Sequence, residues 1–298
     1  MKRGPSPLWR LPLFILLVAG LAGCGMKKAA GKTDDRPVLV VSILPQQYFA
    51  SRIAGDRVRI MTLVGPGQEP HSYEPTPKQM ADLAAAKVWV LSGTEFELGL
   101  RPKIETIFPN LTIVDGTQGV RFRNLDPGDD DEDVHGDAID RHTWLGYEPA
   151  KIMAGSIMEA LIAMDAANEL EYRANYRDLI DDISQEFAVL REKLAPLRGT
   201  VVFVYHPAFG YFLDEFGIIQ EAVETGGKEP TPRILSQLID RAKQERPAAI
   251  FVQAQFPVHT AQAIADAAGA VLAPLDPLAP DWIANIRSMG EILGETRP

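Results

Sequence analysis

Short apolar runs alternate with amphipathic stretches along most of the chain. The runs suit strands that are buried on both faces of a parallel sheet. They occupy residues 38–44, 58–64, 87–91 and 111–114 in the first half, and residues 201–205, 217–223, 248–252 and 271–275 in the second. Because helical patterns lie between many of these runs, the sequence predicts βα units and an α/β fold.

One predicted helix is much longer than the others. Between residues 170 and 194, apolar residues recur at a spacing of three and four from Tyr176 to Leu194. A helix of this length would span about 37 Å. Such a span is long for a crossover inside one domain, so we interpret it as a strut between two lobes. Shorter helices are predicted at residues 46–54, 150–164 and 209–216, and another begins at Pro77.

A short repeat supports this two-lobe interpretation. Glu-Pro-Thr-Pro-Lys at residues 74–78 recurs as Glu-Pro-Thr-Pro-Arg at residues 229–233, and each copy precedes an amphipathic helix and a strand. The predicted organisation is an N-terminal α/β lobe at residues 37–168, a linking helix at 169–196 and a C-terminal α/β lobe at 197–298. Each lobe is expected to hold a parallel sheet flanked by helices.

The first 36 residues are not expected to be part of either lobe. Residues 1–23 combine a basic start with an apolar stretch at 11–21 that is too short to span a membrane, as in a signal peptide. Leu-Ala-Gly-Cys at residues 21–24 resembles the lipobox of bacterial lipoproteins, which implies that Cys24 carries a lipid. A chance cysteine in an ordinary signal is the alternative. Residues 24–36 are small and polar, which indicates a flexible tether.

Composition excludes several classes of site. Cys24 is the only cysteine, so an intrachain disulfide and a thiolate metal site are both excluded. Removal of residues 1–23, which carry three positive charges and no acidic residue, takes the formal net charge from -10 to about -13. Phosphates would repel so acidic a chain, so we expect no nucleic-acid partner. We expect the protein to be a monomer.

An acidic segment interrupts the first lobe at residues 126–140. It holds eight acidic residues and His135, with almost no apolar residue. Such a segment cannot bury a core, and a solvated surface loop is the simplest interpretation. The second interpretation is accessory metal capture by Asp133, His135 and Asp137.

Four residues with metal-binding side chains stand at predicted strand ends or helix entrances. His71 lies in a loop at residues 65–77 that follows a strand and contains four prolines. His206 and Asp276 each directly end a strand, and His142 precedes a helix. Sites in open α/β sheets lie beyond the carboxyl ends of the strands. If the two sheets face each other by these edges, all four side chains can meet in the cleft.

Three imidazoles and a carboxylate form a tetrahedral set that suits Zn²⁺, whereas the harder Mn²⁺ prefers more oxygen ligands. His135 and His259 are interpreted as surface residues. The residues alone leave a second interpretation open, in which His206 is a satisfied strand-end histidine and Asp276 caps a turn.

Five segments together resemble the metal-binding lipoproteins of ATP-binding-cassette (ABC) importers for zinc and manganese, the zinc-uptake and treponemal-type solute-binding proteins. These segments are Glu-Pro-His-Ser-Tyr-Glu-Pro-Thr-Pro at 69–77, His-Thr-Trp-Leu at 142–145, Tyr-His-Pro-Ala-Phe-Gly-Tyr-Phe at 205–212, Phe-Val-Gln-Ala-Gln-Phe at 251–256 and Leu-Asp-Pro-Leu at 275–278. The resemblance implies two α/β lobes joined by one long rigid helix, with the metal held between them.

The same resemblance implies that His71, His142, His206 and Asp276 are the ligands and that an ABC permease in the membrane is the partner. Members that favour manganese tend to carry Glu where this chain has His206, which favours zinc here. The chain departs from the family at Arg141, where proline is common, and at Gln253, where glutamate is common. Its acidic segment also stands where zinc-specific members often carry a histidine-rich loop.

These observations favour an exported, membrane-anchored lipoprotein, facing the periplasm or the cell exterior, that captures Zn²⁺ and hands it to the permease. Four protein ligands would leave no position for a reactive water, so we expect no enzymatic activity. The alternatives are a manganese-specific carrier, a zinc hydrolase with three histidine ligands and Asp276 as general base, and an exported adhesin or scaffold with a structural metal.

Overall fold

The computed structural model describes residue 1 and residues 34–125, 139–224 and 228–296. Residues 36–298 form one compact unit, which contains both lobes. Several predicted features lie outside the described residues. They are the signal peptide except for Met1, the lipid-carrying Cys24, most of the tether, and the acidic-segment residues Asp133, His135 and Asp137. Within the described ranges, no helix combines the length and the apolar character needed to cross a membrane.

The described strands form two parallel four-stranded sheets. The first has the order β2-β1-β3-β4, and the second has the order β6-β5-β7-β8. The strands are β1 (Val38–Val41), β2 (Arg59–Thr62), β3 (Val88–Leu91), β4 (Thr112–Asp115), β5 (Val201–Val204), β6 (Ile219–Ala222), β7 (Ala249–Val252) and β8 (Val271–Pro274). Each strand overlaps a predicted run, and the α/β prediction is confirmed.

Helices connect the strands and cover the sheets. The described helices are α1 (Leu44–Ala54), α2 (Pro77–Ala85), α3 (Glu95–Ile107), α4 (Tyr147–Met164), α5 (Glu169–Leu194), α6 (Gly210–Asp214), α7 (Pro232–Glu245), α8 (His259–Ala268) and α9 (Trp282–Glu295). Helix α1 begins before Pro45 rather than after it, because proline is tolerated in the first turn of a helix. Helix α3 was not predicted, since Gly99 and Pro102 interrupt its pattern.

The two lobes have the same strand order, and the short repeat occupies equivalent places in both. In each lobe the repeat follows the edge strand β2 or β6 and leads into the next helix, α2 or α7. The hydroxyl of Thr76 accepts the backbone N–H of Gln79, and the hydroxyl of Thr231 accepts that of Ile234. Both threonines therefore act as N-caps, which explains why Thr-Pro recurs at these positions.

The long helix α5 is the centre of the hydrophobic core. Its buried face includes Leu179, Ile183 and Phe187, and it packs against α1, α4 and α9. The final helix α9 returns towards the first lobe, where the ring of Trp282 lies 5.0 Å from that of Phe49 in α1. One continuous core therefore includes the first sheet, α5, α9 and part of the second lobe.

The contact between α5 and α9 depends on a missing side chain at Gly290. A Cβ atom at this position would lie 2.3 Å from Cδ2 and 3.2 Å from Cγ of Leu190, which is fully buried. We expect Gly290→Ala to lower the free energy of unfolding by about 1–3 kcal/mol through overpacking. Urea unfolding measures this change.

Gly99→Ala is the matched control, because Gly99 also lies inside a helix but has open space where a Cβ would be added. We expect this variant to be as stable as the parent or more stable by about 0.5–1 kcal/mol. Equal stability of the two variants would contradict the close packing described for Gly290.

Candidate metal centre

Three of the predicted ligands meet between the lobes. The Nε2 atom of His206 lies 3.2 Å from Nε2 of His71 and 3.2 Å from Nε2 of His142. One ligand atom from each of the three residues falls within a group no wider than 4.8 Å. His71 lies in the loop between β2 and α2, and His206 lies just beyond the carboxyl end of β5. The carboxyl edges of the two sheets therefore meet at this point.

The spacing of these nitrogens suits a bound cation. Zinc–imidazole bonds of about 2.0–2.1 Å in a tetrahedral site place neighbouring nitrogens about 3.3–3.4 Å apart. The two separations of 3.2 Å are close to this value. The three side chains can therefore form three corners of a tetrahedral site with small adjustments.

Each histidine also contacts a carboxylate through its other ring nitrogen. Nδ1 of His142 lies 2.9 Å from Oδ1 of Asp140, and Nδ1 of His71 lies 3.1 Å from Oε2 of Glu95. Nδ1 of His206 contacts Oε1 of Glu224. Since an ionised carboxylate can only accept, it pairs with a ring whose Nδ1 carries a proton, and this contact leaves Nε2 facing the other two rings. This arrangement is common in metal sites, where the carboxylate fixes the ring and raises its basicity.

The pKa values reflect the balance between burial and these carboxylates. Burial lowers the pKa of His206 below its ordinary value, although its contact with Glu224 acts in the opposite direction. Burial also lowers the pKa of His71, but the Glu95 carboxylate outweighs it and the net shift is upward. For Asp140, burial raises the pKa, but hydrogen bonds from His142 and Arg123 lower it below the usual range. Asp140 is therefore ionised at neutral pH.

The loop that carries His71 is held by the side chain of Glu69. Oε1 of Glu69 accepts the backbone N–H of His71 at 2.8 Å, and Oε2 accepts the backbone N–H of Ser72 at 2.9 Å. Nearby prolines further restrict the backbone. This explains how a ligand can be held on a loop without regular secondary structure.

The other two histidines are packed from the second lobe and from the segment that leads into α4. Gln253 donates to the backbone oxygen of His206 at 2.9 Å, and the ring of Phe256 stacks on His206 with 4.8 Å between ring centres. Trp144, two residues after His142, donates from Nε1 to the backbone oxygen of Pro277 at 2.7 Å. Trp282 in turn donates to the backbone oxygen of Trp144 at 2.8 Å. Both lobes therefore hold the site in place.

Asp276, the fourth predicted ligand, is not part of this group of ligand atoms. It follows β8 as expected, but its side chain is exposed and Oδ1 accepts the backbone N–H of Leu278 at 2.8 Å. In this structure the carboxylate therefore caps the turn after β8. The four-ligand set expected from the sequence is not assembled here.

The cavity beside the histidines is small. Its volume available to the centre of a water-sized sphere is about 20 Å³. Its lining includes His71, His142 and His206 together with Glu95 and Arg141. A space of this size accepts a water molecule or an ion.

The carboxylate partners Glu95 and Glu224 were not predicted from the sequence, and Asp140 was predicted only as part of the acidic segment. A signal was present, because Glu95 and Glu224 each follow a strand closely, as the predicted ligands do. His259 is exposed, and its Nε2 lies 3.0 Å from Oε1 of Glu229, which agrees with its interpretation as a surface residue.

Comparisons with known proteins support the two-lobe fold and identify a family. The family model of zinc-uptake complex component A, periplasmic (ZnuA), matches residues 39–295. A solved structure described as the crystal structure of ZnuA has 33% sequence identity and a TM-score of 0.81, and the match covers 88% of this chain and 99% of that one.

Two relatives extend the comparison. The high-affinity zinc uptake system protein ZnuA of Bacillus subtilis is 24% identical over 285 residues, which is 92% of this chain and 88% of that protein. The manganese ABC transporter substrate-binding lipoprotein PsaA of Streptococcus pneumoniae is 25% identical over 254 residues, which is 82% of this chain and 80% of that protein. The family match spans nearly all of both lobes and confirms the resemblance seen in the sequence: the chain belongs to the family of zinc-uptake complex component A, periplasmic.

Proposed function

We propose that this protein binds Zn²⁺ between its two lobes and delivers the ion to an ABC permease. The observation that carries this proposal is the convergence of three Nε2 atoms, each on a ring whose Nδ1 contacts a carboxylate. With the carboxylates on Nδ1, the three Nε2 atoms are left to face one another at a spacing that a shared cation could bridge.

The charge around the rings supports a divalent cation. Asp140 and Glu224 are buried, and Glu95 is half-buried. Among the described residues, Oε2 of Glu224 has no hydrogen-bond partner although it is buried. A buried carboxylate that is only partly paired is costly, and a nearby dication reduces this cost. Metal binding therefore relieves an electrostatic strain that the metal-free site carries.

Zinc is favoured over manganese by the chemistry of the ligand set. Imidazole nitrogen suits Zn²⁺, whereas Mn²⁺ prefers carboxylate, carbonyl and water oxygens. The three convergent side chains supply nitrogen alone. The family description and the Bacillus relative name zinc, but the streptococcal relative names manganese, so Mn²⁺ is the competitor to test.

The size of the cavity argues against the zinc-hydrolase alternative. Sites for organic ligands usually have volumes of about 300–1,000 Å³. The space of about 20 Å³ beside the histidines would not accept such a substrate. The family is one of transport proteins, and an ion-sized cavity fits capture and release of the ion itself.

Delivery and location complete the proposal. The signal peptide at residues 1–23 would direct export, and the lipid on Cys24 would then hold the protein at the outer face of the membrane, where the permease receives the ion. We propose that the protein acts as a monomer, because two lobes of one chain supply all three histidines. Accessory metal capture by Asp133, His135 and Asp137 stays a prediction.

Calorimetric titration of the metal-free protein at neutral pH tests the proposal. We expect one tight site for Zn²⁺ and much weaker binding of Mn²⁺. His206→Ala removes the nitrogen that lies nearest to both other ligands, so zinc affinity should fall by a large factor. His259→Ala is the control, and it should bind zinc as tightly as the parent.

Tighter binding of Mn²⁺ than of Zn²⁺ would contradict the argument from nitrogen ligands. Equal zinc affinity of the His206→Ala variant and the parent would remove the assigned site altogether.

Metal removal distinguishes a carrier from a protein with a structural metal. The core is continuous through α5 and α9 and does not include the three histidines. We therefore expect the metal-free protein to stay folded, with unchanged circular dichroism, and zinc to raise its melting temperature through binding to the native state. Loss of secondary structure on chelation would favour the scaffold alternative.

The role of Asp276 is a separate question. We propose that it supplies the fourth ligand in the metal-bound state. Asp276→Asn keeps an oxygen that can cap Leu278 but removes the charge, so the fold should be unchanged while zinc affinity falls, by less than in His206→Ala. Calorimetry with both variants gives this order. Full zinc affinity in Asp276→Asn would leave the fourth position to water or to another residue.

A further inference from the structure

The three histidines differ in how firmly they are held. The side chains of His142 and His206 are 10% and 9% exposed, and their partners Asp140 and Glu224 are 0% and 2% exposed. The side chain of His71 is 36% exposed, and that of its partner Glu95 is 41% exposed. Two ligands are therefore fixed inside the protein, whereas the third and its carboxylate face solvent. An ion that leaves the site must leave on the side of His71.

The carboxylate of Glu95 lies between two side chains, the predicted ligand His71 and the cation Arg141. It is the first residue of α3, and its Oε2 lies 3.1 Å from Nδ1 of His71. Its other oxygen, Oε1, lies 3.7 Å from Nε of Arg141, the residue before His142. One carboxylate is therefore shared between a metal ligand and a permanent cation.

Arg141 is fixed close to the ion-binding cavity. Its Nη1 donates to the backbone oxygen of Gly93 at 3.0 Å, and the residue lines the same cavity as the three histidines. A guanidinium group stays charged at all physiological pH values. Its charge opposes that of a bound cation, and its attraction for Glu95 competes with the hydrogen bond from His71.

We propose that Glu95 is the positioning residue of His71 and that Arg141 weakens its action, so that this pair sets the rate at which the ion leaves the site. The inference rests on the proposed function, and it adds that the contacts of Glu95 control how fast the ion is released. With Glu95 bonded to Nδ1, the His71 ring holds its lone pair towards the ion. Without that bond, the exposed ring is free to rotate away.

The two residues have opposite predicted effects, which separates this role from a merely structural one. Glu95→Gln keeps the size of the side chain but removes its charge. Loss of such a partner typically weakens metal affinity about 10- to 100-fold, and we expect this loss to appear as zinc release about 10-fold faster or more. Arg141→Gln removes the competing cation, so zinc should leave more slowly. Damage to the fold would speed release in both variants.

The experiment loads the parent and each variant with zinc and measures release by stopped-flow mixing with an excess of a strong chelator. Glu105→Gln is the matched control, because Glu105 is an exposed glutamate of the same helix that pairs with Arg101. This control should release zinc at the parent rate. Thermal unfolding of each metal-free variant checks that the fold is intact.

A second readout follows the ring itself. In the metal-free protein, ¹⁵N chemical shifts of the histidine rings report which nitrogen carries the proton. In Glu95→Gln, the signals of His71 should change while those of His142 and His206 stay as in the parent. Unchanged His71 signals would overturn the positioning role.

An unchanged release rate in Glu95→Gln, or faster release in both variants, would overturn the inference while leaving the zinc site in place. Failure of the proposed function would look different, because the parent protein itself would then bind no zinc tightly. The two failures are therefore distinguishable in one set of measurements.

Discussion

Contact between a carboxylate and each of three imidazole rings is the constraint that shapes this site. Nδ1 of His71, His142 and His206 contacts a carboxylate in each case, and Nε2 of His206 lies 3.2 Å from Nε2 of each of the other two rings. Backbone hydrogen bonds and a stacked aromatic ring hold the same segments. The fold itself therefore orders the three rings, which reduces the ordering cost that binding of a ligand would otherwise carry.

The scaffold meets this constraint by combining two similar sheets with one shared core. Each sheet brings side chains to the carboxyl ends of its strands, and α5 and α9 fix one sheet relative to the other. Neither lobe could form the site alone, because His206 comes from one lobe and His71 and His142 come from the other. The buried face of α5 lies outside the site, but its packing keeps the two sheets in the orientation that brings the histidines together.

Much of the fold was predictable because its strands are continuous apolar runs and its longest helix has regular spacing. Helix α3 was missed because Gly99 and Pro102 hide its pattern, and tertiary packing stabilises it despite them. The convergence of the three histidines was predictable because strand ends meet in this class of fold. Asp276 also ends a strand, but here its side chain accepts the backbone N–H of Leu278, and its role as a ligand stays a prediction.

The carboxylates that contact the histidines were harder to predict from the sequence. Glu95 and Glu224 are distant in sequence from the rings that they contact, and many other acidic residues in the chain were equal candidates. Each of these pairs lies within one lobe, so it depends on how neighbouring loops pack at the carboxyl edge of one sheet. The meeting of the three rings depends in addition on the relative orientation of the lobes, which results from the packing of α5 and α9 rather than from any local pattern.

The hydrogen bonds of Trp144 and Trp282 have a mechanical consequence. They join the segment after His142 to the segment after β8 and to α9, and both indole rings are about 1% exposed. An opening that moved the segment after β8 away from the first lobe would break the bond between Trp144 and Pro277. Helices α5 and α9 pack against each other within the shared core, and this packing resists such an opening. Small rearrangements at the rim of the cleft, by contrast, would leave these bonds intact.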